Sequence, residues 1–486
     1  MTRIVIIGGG IAGLAAAHLL APHPRPSPPA RPPGVPTELP VRRGEREVVL
    51  IESDSRLGGK IVTDRVDGFV IEGGPDTFLS LKPRGLGLCR ELGLEDRLHG
   101  TNDKIRHTYV MRGNRLYELP EGLTGLIPTR FGPMAKTGLI SPLGKLRMGL
   151  DYLIPPRSVN GDESLAAFVG RRLGRELYDR LVEPLMGGIY AGDGEQLSLA
   201  ATFPQLRQTE LDHGGLIKGM LASKRKAPAP RPGARQWAAF LTPTTGLAEV
   251  VEALAQRLGG VDVRLGRQAT RIEPASPGYT VQLENGETLA ADAIIFATPA
   301  FATGDLVAEL DPNMAVALHG IPYVSTATVS VAYSLADIPR PLDGYGYIIP
   351  RAENRPILAC TWTSTKFPHR APEGFGLIRA FIGRAGQEGA LDGTDDDLLT
   401  LVRDELRRTM GVTAPPVLHR AFRWPKAMPQ YTLGHLDRLA VIDRRLAAHP
   451  GLFVAGNAYR GIGIPDCIAS GEQAAEKAFQ FLIADR

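Results

Sequence analysis

The chain has 486 residues, of which 56 are glycine and 40 proline, so about a fifth of it consists of the two residue types that punctuate structure. A hydrophobic share of 43% is enough to bury a sizeable core, and no G-X-Y period is present, which excludes a collagen-like or disordered chain. The 56 basic and 52 acidic residues nearly cancel at a net +4 without a long basic run, so no nucleic-acid surface is read; Cys89, Cys360 and Cys467 have neither metal-ligand spacing nor a disulfide framework and fit a reducing, cytoplasmic setting.

Residues 3–7 form an apolar, β-branched run that predicts a strand buried on both faces. Gly8-Gly9-Gly10-Ile11-Ala12-Gly13 follows, and Leu14 to Leu20 predicts a helix. Residues 22–40 contain nine prolines, which can neither continue a helix nor join a sheet, and predict a polyproline-rich surface insertion. Val48 to Ile51 predicts a second buried strand, ending in Glu52. Helices are expected over 84–98, 142–154 and 162–182, and a Lys/Ala/Pro-rich loop over 222–235. A helix over 245–258 leads to strands at 261–265, 269–273, 279–284 and 288–297, with a hairpin turn at Asn285-Gly286. Strands recur at 324–334, 345–349, 357–363 and 376–383, followed by a helix over 395–411, a last buried strand at 452–456 and a helix over 467–483. No secretory signal is read, and no run of about eighteen apolar residues predicts a membrane span.

The chemistry lies in three glycine-rich places. Gly8-x-Gly10-x-x-Gly13, between a strand and a helix, is the dinucleotide fingerprint: a tight turn, a backbone that a pyrophosphate can approach, and close helix–strand packing. Glu52, at the end of the next strand, is placed to accept from ribose hydroxyls; it lies 39 residues after Gly13, about twice the usual spacing, and the proline-rich insertion accounts for the surplus. Arg56-Leu57-Gly58-Gly59-Lys60 and Glu72-Gly73-Gly74-Pro75-Asp76 form the second place. The third is the terminal run Ala455-Gly456-Asn457-Ala458-Tyr459-Arg460-Gly461-Ile462-Gly463-Ile464-Pro465-Asp466-Cys467-Ile468.

The second glycine pair resembles the FAD-dependent amine oxidase superfamily. The terminal run, together with Trp424-Pro425-x-Ala427-x-Pro429-Gln430-Tyr431 and Gly434-His435, is similar to the oxygen-dependent protoporphyrinogen/coproporphyrinogen oxidases. Pro75, Asp76, Phe78 and Leu79 look more like the bacterial branch acting on coproporphyrinogen III. The resemblance implies an α/β protein with a Rossmann-like FAD-binding domain, a β-sheet substrate domain and a helical subdomain. It divides the chain into FAD-binding parts at 1–80, 239–300 and 415–486, a helical part at 81–238 that closes the pocket, and a β-rich substrate part at 301–414.

Residue by residue, the resemblance places Gly8, Gly9, Gly10, Ile11, Ala12 and Gly13 on the phosphates and Glu52 on the ribose. Arg56, Gly58, Gly59 and Lys60 lie along the cofactor. Gly74, Pro75, Asp76 and Thr77 pass over the isoalloxazine, Ala269 meets the adenine end, and Trp424 packs near the flavin. Asn457, Ile462, Gly463 and Ile464 line the pyrimidine end. The implied reaction is a six-electron oxidation of the porphyrinogen in haem biosynthesis, as three hydride transfers to FAD with dioxygen as acceptor and three peroxides released. Asp76 is the candidate general base and Lys82 the candidate partner of a substrate propionate. Implied partners are the porphyrinogen and dioxygen, with no metal, and with peripheral contact at the inner face of the membrane or handover to a ferrochelatase-type enzyme as further candidates. Two other readings stay open: a carotenoid desaturase or amine oxidase of the same superfamily, and a non-catalytic protein like the GDP-dissociation inhibitors.

Overall fold

The first apolar run forms β1 (Thr2–Ile7), followed by α1 (Ile11–Leu20), β2 (Arg46–Ile51), β3 (Val261–Arg264), β4 (Ala293–Phe296), β5 (Leu452–Val454) and the C-terminal helix α2 (Ile464–Ala484). The computed structural model describes residues 2–22, 46–121, 123–124, 127–128, 131–158, 161–226 and 237–484. The strands pair in parallel in the order β3-β2-β1-β4-β5, with Ile4 opposite Val48 on one side and Ala293 on the other. Alternation along β1 divides its residues between two cores. Ile4 and Ile6 pack with Val48, Leu50 and the helices α1 and α2, while Val5 and Ile7 pack with Val49, Ile51 and the hairpin strands beyond residue 269. Covered on both faces, these strands can be apolar throughout.

The strand expected over 288–297 divides at Asp292. Its carboxylate accepts the Arg3 amide at 2.6 Å, so Thr288–Ala291 joins an antiparallel sheet with Ala269–Pro274 and Tyr279–Leu283, while β4 enters the parallel sheet. A seven-stranded sheet runs in the order Leu418–Pro429, Tyr323–Ser334, Phe375–Ile382, Ile357–Trp362, Gly346–Ile348, Tyr109–Arg112 and Arg115–Glu118. Three of its strands cross the division expected from sequence. Residues 109–118 lie within the part expected to be helical, and 418–429 within the part assigned to the cofactor domain. Tyr347 pairs with Tyr109 and Ala327 with Arg423, so both segments belong to this seven-stranded sheet.

Several helices are shorter than predicted. Pro83–Glu91 gives way to a turn at Glu95–Arg97, and Pro142–Gly149 to a turn at Leu150–Tyr152. The helix expected over 162–182 breaks at Gly174, whose φ of 96° leaves the helical region. The loop expected over 222–235 is helical as far as Lys226, and its remainder lies outside the described residues, as does the proline-rich insertion beyond Pro22. Among the described residues no helix is long and apolar enough to cross a membrane.

Candidate active site

The turn from β1 into α1 is shaped by what a side chain would strike. Gly8 has φ 109°, and a Cβ there would lie 2.7 Å from the Ala297 carbonyl oxygen; at Gly13 it would lie 1.9 Å from the Gly8 oxygen. At Gly10 a Cβ would meet no protein atom within 4 Å, so the space beside Gly10 is left for something outside the chain. The Leu14 amide is bonded to the Gly10 carbonyl, which leaves the preceding amides of the first turn for an anion. Gly58 bridges to Gly10, and its amide donates to the Gly9 carbonyl at 2.9 Å, which brings the second glycine turn against the first. Arg56 steadies that second turn by donating from Nη2 to the Gly59 carbonyl at 2.6 Å.

Glu52 accepts the Gly9 amide at 2.6 Å through Oε2 and the Asp54 amide at 2.8 Å through Oε1. A carboxylate has about four lone-pair sites, so this half-exposed group keeps capacity for ribose hydroxyls. The Arg267 amide donates to the Glu52 carbonyl, which places the start of the Ala269 strand next to Glu52. Open space at Gly10, free first-turn amides and an oriented acid together fit the pyrophosphate and ribose of a dinucleotide.

The Gly73–Thr77 segment is held from several sides. The Gly73 carbonyl accepts Trp424 Nε1–H at 2.8 Å, Thr328 Oγ1–H at 2.9 Å and Arg379 Nη2–H at 3.1 Å, and Arg379 also donates to the Gly74 carbonyl. A Cβ on Gly74 would lie 1.8 Å from the Lys60 carbonyl oxygen. Asp76 pairs with Lys366 at 2.8 Å and accepts Thr77 Oγ1–H at 3.0 Å. Burial opposes the charge of Asp76, but Lys366 and Arg379 outweigh it and hold the carboxyl well below the usual carboxylate range. The expectation that Asp76 serves as a general base meets this environment: a carboxylate so stabilised is a weak proton acceptor.

Lys82 does not stand free beside the segment. Its Nζ lies 2.5 Å from Asp466 Oδ2, and Asp466 also accepts the Gly463 amide at 3.1 Å, at the start of α2. Ile462, Gly463 and Ile464 thus lie at the N-terminal end of a 21-residue helix. Asn457 is fixed through its carbonyl, which accepts Tyr431 O–H at 2.7 Å, and the Tyr431 oxygen accepts the Gly461 amide at 2.8 Å. His435 stacks on Tyr431 with centroids 4.1 Å apart, and burial pushes its pKa down to about 4, so it is a structural, uncharged ring. Lys60 donates to the Ala427 carbonyl; burial pushes its pKa down to about 8, against the opposing influence of Cys467. Burial pushes the Cys467 thiol up to about 12, which excludes a resting thiolate there.

Sequence reasoning missed Arg379, Lys366, Thr328 and Asp466. One signal was available for Arg379: a lone cation in the apolar run Phe375–Ile382, which is 3% exposed and therefore has to find acceptors.

The model for flavin containing amine oxidoreductases matches residues 11–478. Over 483 residues the chain is 37% identical to coproporphyrinogen III oxidase of Bacillus subtilis, covering 99% of both chains. It is 31% identical to human protoporphyrinogen oxidase over 494 residues, covering 97% of both. A crystal structure of a candidate protoporphyrinogen oxidase from Exiguobacterium superposes with a TM-score of 0.82 at 30% identity over 99% of both chains. The chain belongs to the flavin containing amine oxidoreductase family.

Proposed function

We propose that this protein oxidises coproporphyrinogen III to coproporphyrin III in haem biosynthesis, with FAD as the bound acceptor and dioxygen as the final one. The observation that carries the reading is the extent of the likeness: relatives named coproporphyrinogen III oxidase match from end to end at 35–37% identity, above the 28–31% of those named protoporphyrinogen oxidase.

FAD, when bound, accepts a hydride from the macrocycle and passes electrons in pairs to dioxygen. The chain supplies binding and orientation. Gly8–Gly13 and Glu52 hold the dinucleotide, and the Gly73–Thr77 segment, fixed by Thr328, Arg379 and Trp424, forms a rigid wall beside it. Asp76 acts as an anchor for the Lys366 ammonium rather than as a base. Lys82 reaches a substrate carboxylate from its place beside Asp466; a raised KM in Lys82→Met at unchanged kcat supports this role, and an unchanged KM removes it.

Peripheral membrane contact and product transfer to a ferrochelatase-type enzyme belong to the same proposal. Leu143, Leu146 and Leu153 are among the strongly exposed apolar side chains and lie close together in sequence, which suits them to such contact. Sedimentation with vesicles tests the membrane part, and protein that stays in the supernatant removes it.

Parallel aerobic turnover of coproporphyrinogen III and protoporphyrinogen IX, read by porphyrin fluorescence, tests the main reading. Coproporphyrinogen is expected to turn over faster. Stimulation of neither substrate overturns the function, and a large preference for protoporphyrinogen overturns the branch.

A further inference from the structure

Arg379 is a buried cation in the middle of the apolar strand Phe375–Ile382. Its pairing on both sides is with strand neighbours, Ser330 and Thr361. Its guanidinium turns to two consecutive main-chain carbonyls, Gly73 and Gly74, and lies over the Phe381 ring at 4.7 Å. Its Nε finds no acceptor among the described residues. Taking an arginine out of water is costly unless its donors are satisfied, so a guanidinium held here with one donor unmet is a local cost to the fold. Arginine stays charged under any working condition, so that cost is not relieved by loss of a proton.

What the cost secures is specific. A single donor already suffices for the Gly73 carbonyl, which has Trp424 Nε1–H and Thr328 Oγ1–H as well. The two bonds added by Arg379 run from one nitrogen, Nη2, to adjacent carbonyls, and this fixes the orientation of the peptide between Gly73 and Gly74. The next two residues are Pro75 and Asp76, and Asp76 carries the 2.8 Å pair to Lys366. The charge of Arg379 also favours the ionised Asp76 that this pair requires.

We propose that Arg379 is a positioning residue for the porphyrinogen oxidation: through the Gly73 and Gly74 carbonyls it sets the Gly73–Thr77 wall, and with it the Asp76–Lys366 pair, against the bound flavin. The proposal rests on the function given above, and its test includes a measurement that needs no substrate.

Arg379→Met and Arg379→Lys are purified with FAD and compared with the parent chain. The readouts are the visible spectrum of the bound flavin, the thermal midpoint, and kcat and KM for whichever porphyrinogen the parent oxidises. Arg379→Met is expected to bind FAD with a shifted, less structured flavin band and a kcat lower by about tenfold or more at little change in KM, since misplacement on the order of 1 Å is enough for such a loss. Arg379→Lys keeps the charge and a donor nitrogen but loses the planar guanidinium, and is expected to recover part of both. A parental flavin band and kcat in folded Arg379→Met overturn the proposal. If that variant does not fold, Arg379→Lys decides on the same two readouts, and failure of both variants to fold assigns Arg379 to stability alone and overturns it too. A parent chain that oxidises no porphyrinogen overturns the function; the flavin band of the variants still tests the wall.

Discussion

Lys82 Nζ and Asp466 Oδ2 lie 2.5 Å apart across 384 residues of sequence, and tie the segment that follows Gly73–Thr77 to the first turn of α2. The two partners are not equivalent. Asp466 also accepts the Gly463 amide, one of the donors that a helix start leaves without a partner. Lys82 has nearly half of its side chain exposed, so the ion pair itself contributes little. Asp466→Ala is expected to cost about 1 kcal/mol or more through the lost cap, and Lys82→Met less than about 1 kcal/mol. Urea unfolding of both variants checks the order, and equal costs would show that the ion pair alone matters.

Gly10 and Gly13 separate cofactor binding from folding. Gly10 has φ −68° and open space where a Cβ would be, so Gly10→Ala is compatible with the folded chain. The new methyl occupies the place assigned to the pyrophosphate. FAD affinity should fall by about tenfold or more, which corresponds to about 1.4 kcal/mol, with an unchanged melting temperature of the flavin-free protein. Gly13→Ala puts a Cβ against the Gly8 carbonyl and should lower the melting temperature itself. Retention of FAD by folded Gly10→Ala, read from absorbance after gel filtration, would show that the cradle lies elsewhere.

The parts of this site that were legible in the sequence are those built from neighbours in the chain. Gly8, Gly10 and Gly13 fall within one turn, and their spacing alone makes the dinucleotide fingerprint. The same holds for the run from Ala455 into α2. Long-range pairing hid the rest. Nothing local says that Arg379 reaches Gly74, or that Lys366 meets Asp76, 290 residues away. The strands at 109–118 escaped for the same reason: they are short strands at one end of the sheet, whose place is set by the pairing of Tyr347 with Tyr109. At Asp292 a single side chain, bound to the Arg3 amide, divides what pattern alone reads as one strand.

The buried His435 and the half-buried His369 give stability a definite pH dependence. Burial pushes both His435 and His369 from 6.5 down to about 4. Between these values the unfolded chain binds protons that the folded chain does not, so stability is complete above about pH 6.5 and is lost as pH falls toward 4. The slope can reach about 1.4 kcal/mol per pH unit for each ring. His435→Phe keeps an aromatic ring on Tyr431 and should reduce that slope, whatever it does to the midpoint at neutral pH. Urea midpoints measured from pH 4 to pH 8 decide this, and an undiminished slope in the variant would show that His435 titrates normally.

The ends that flank the proline-rich segment are adjacent in space. Arg46 Nη2 donates to the Leu20 carbonyl at 2.8 Å, so the end of α1 and the start of β2 lie side by side. The described contacts of the cradle, from Gly8 to Leu14 on one side and from Glu52 to Gly59 on the other, are made by residues outside the segment. A connection of about four to six residues is the usual length between such elements. Deleting residues 24–42 is therefore expected to leave FAD bound and porphyrinogen turnover within about twofold of the parent, with a small gain in stability from the shorter loop. Flavin content and the melting temperature of the deleted chain check this. Loss of FAD in a chain that still folds would show that the segment takes part in holding the cofactor, and that the spacing between Gly13 and Glu52 is not a neutral insertion.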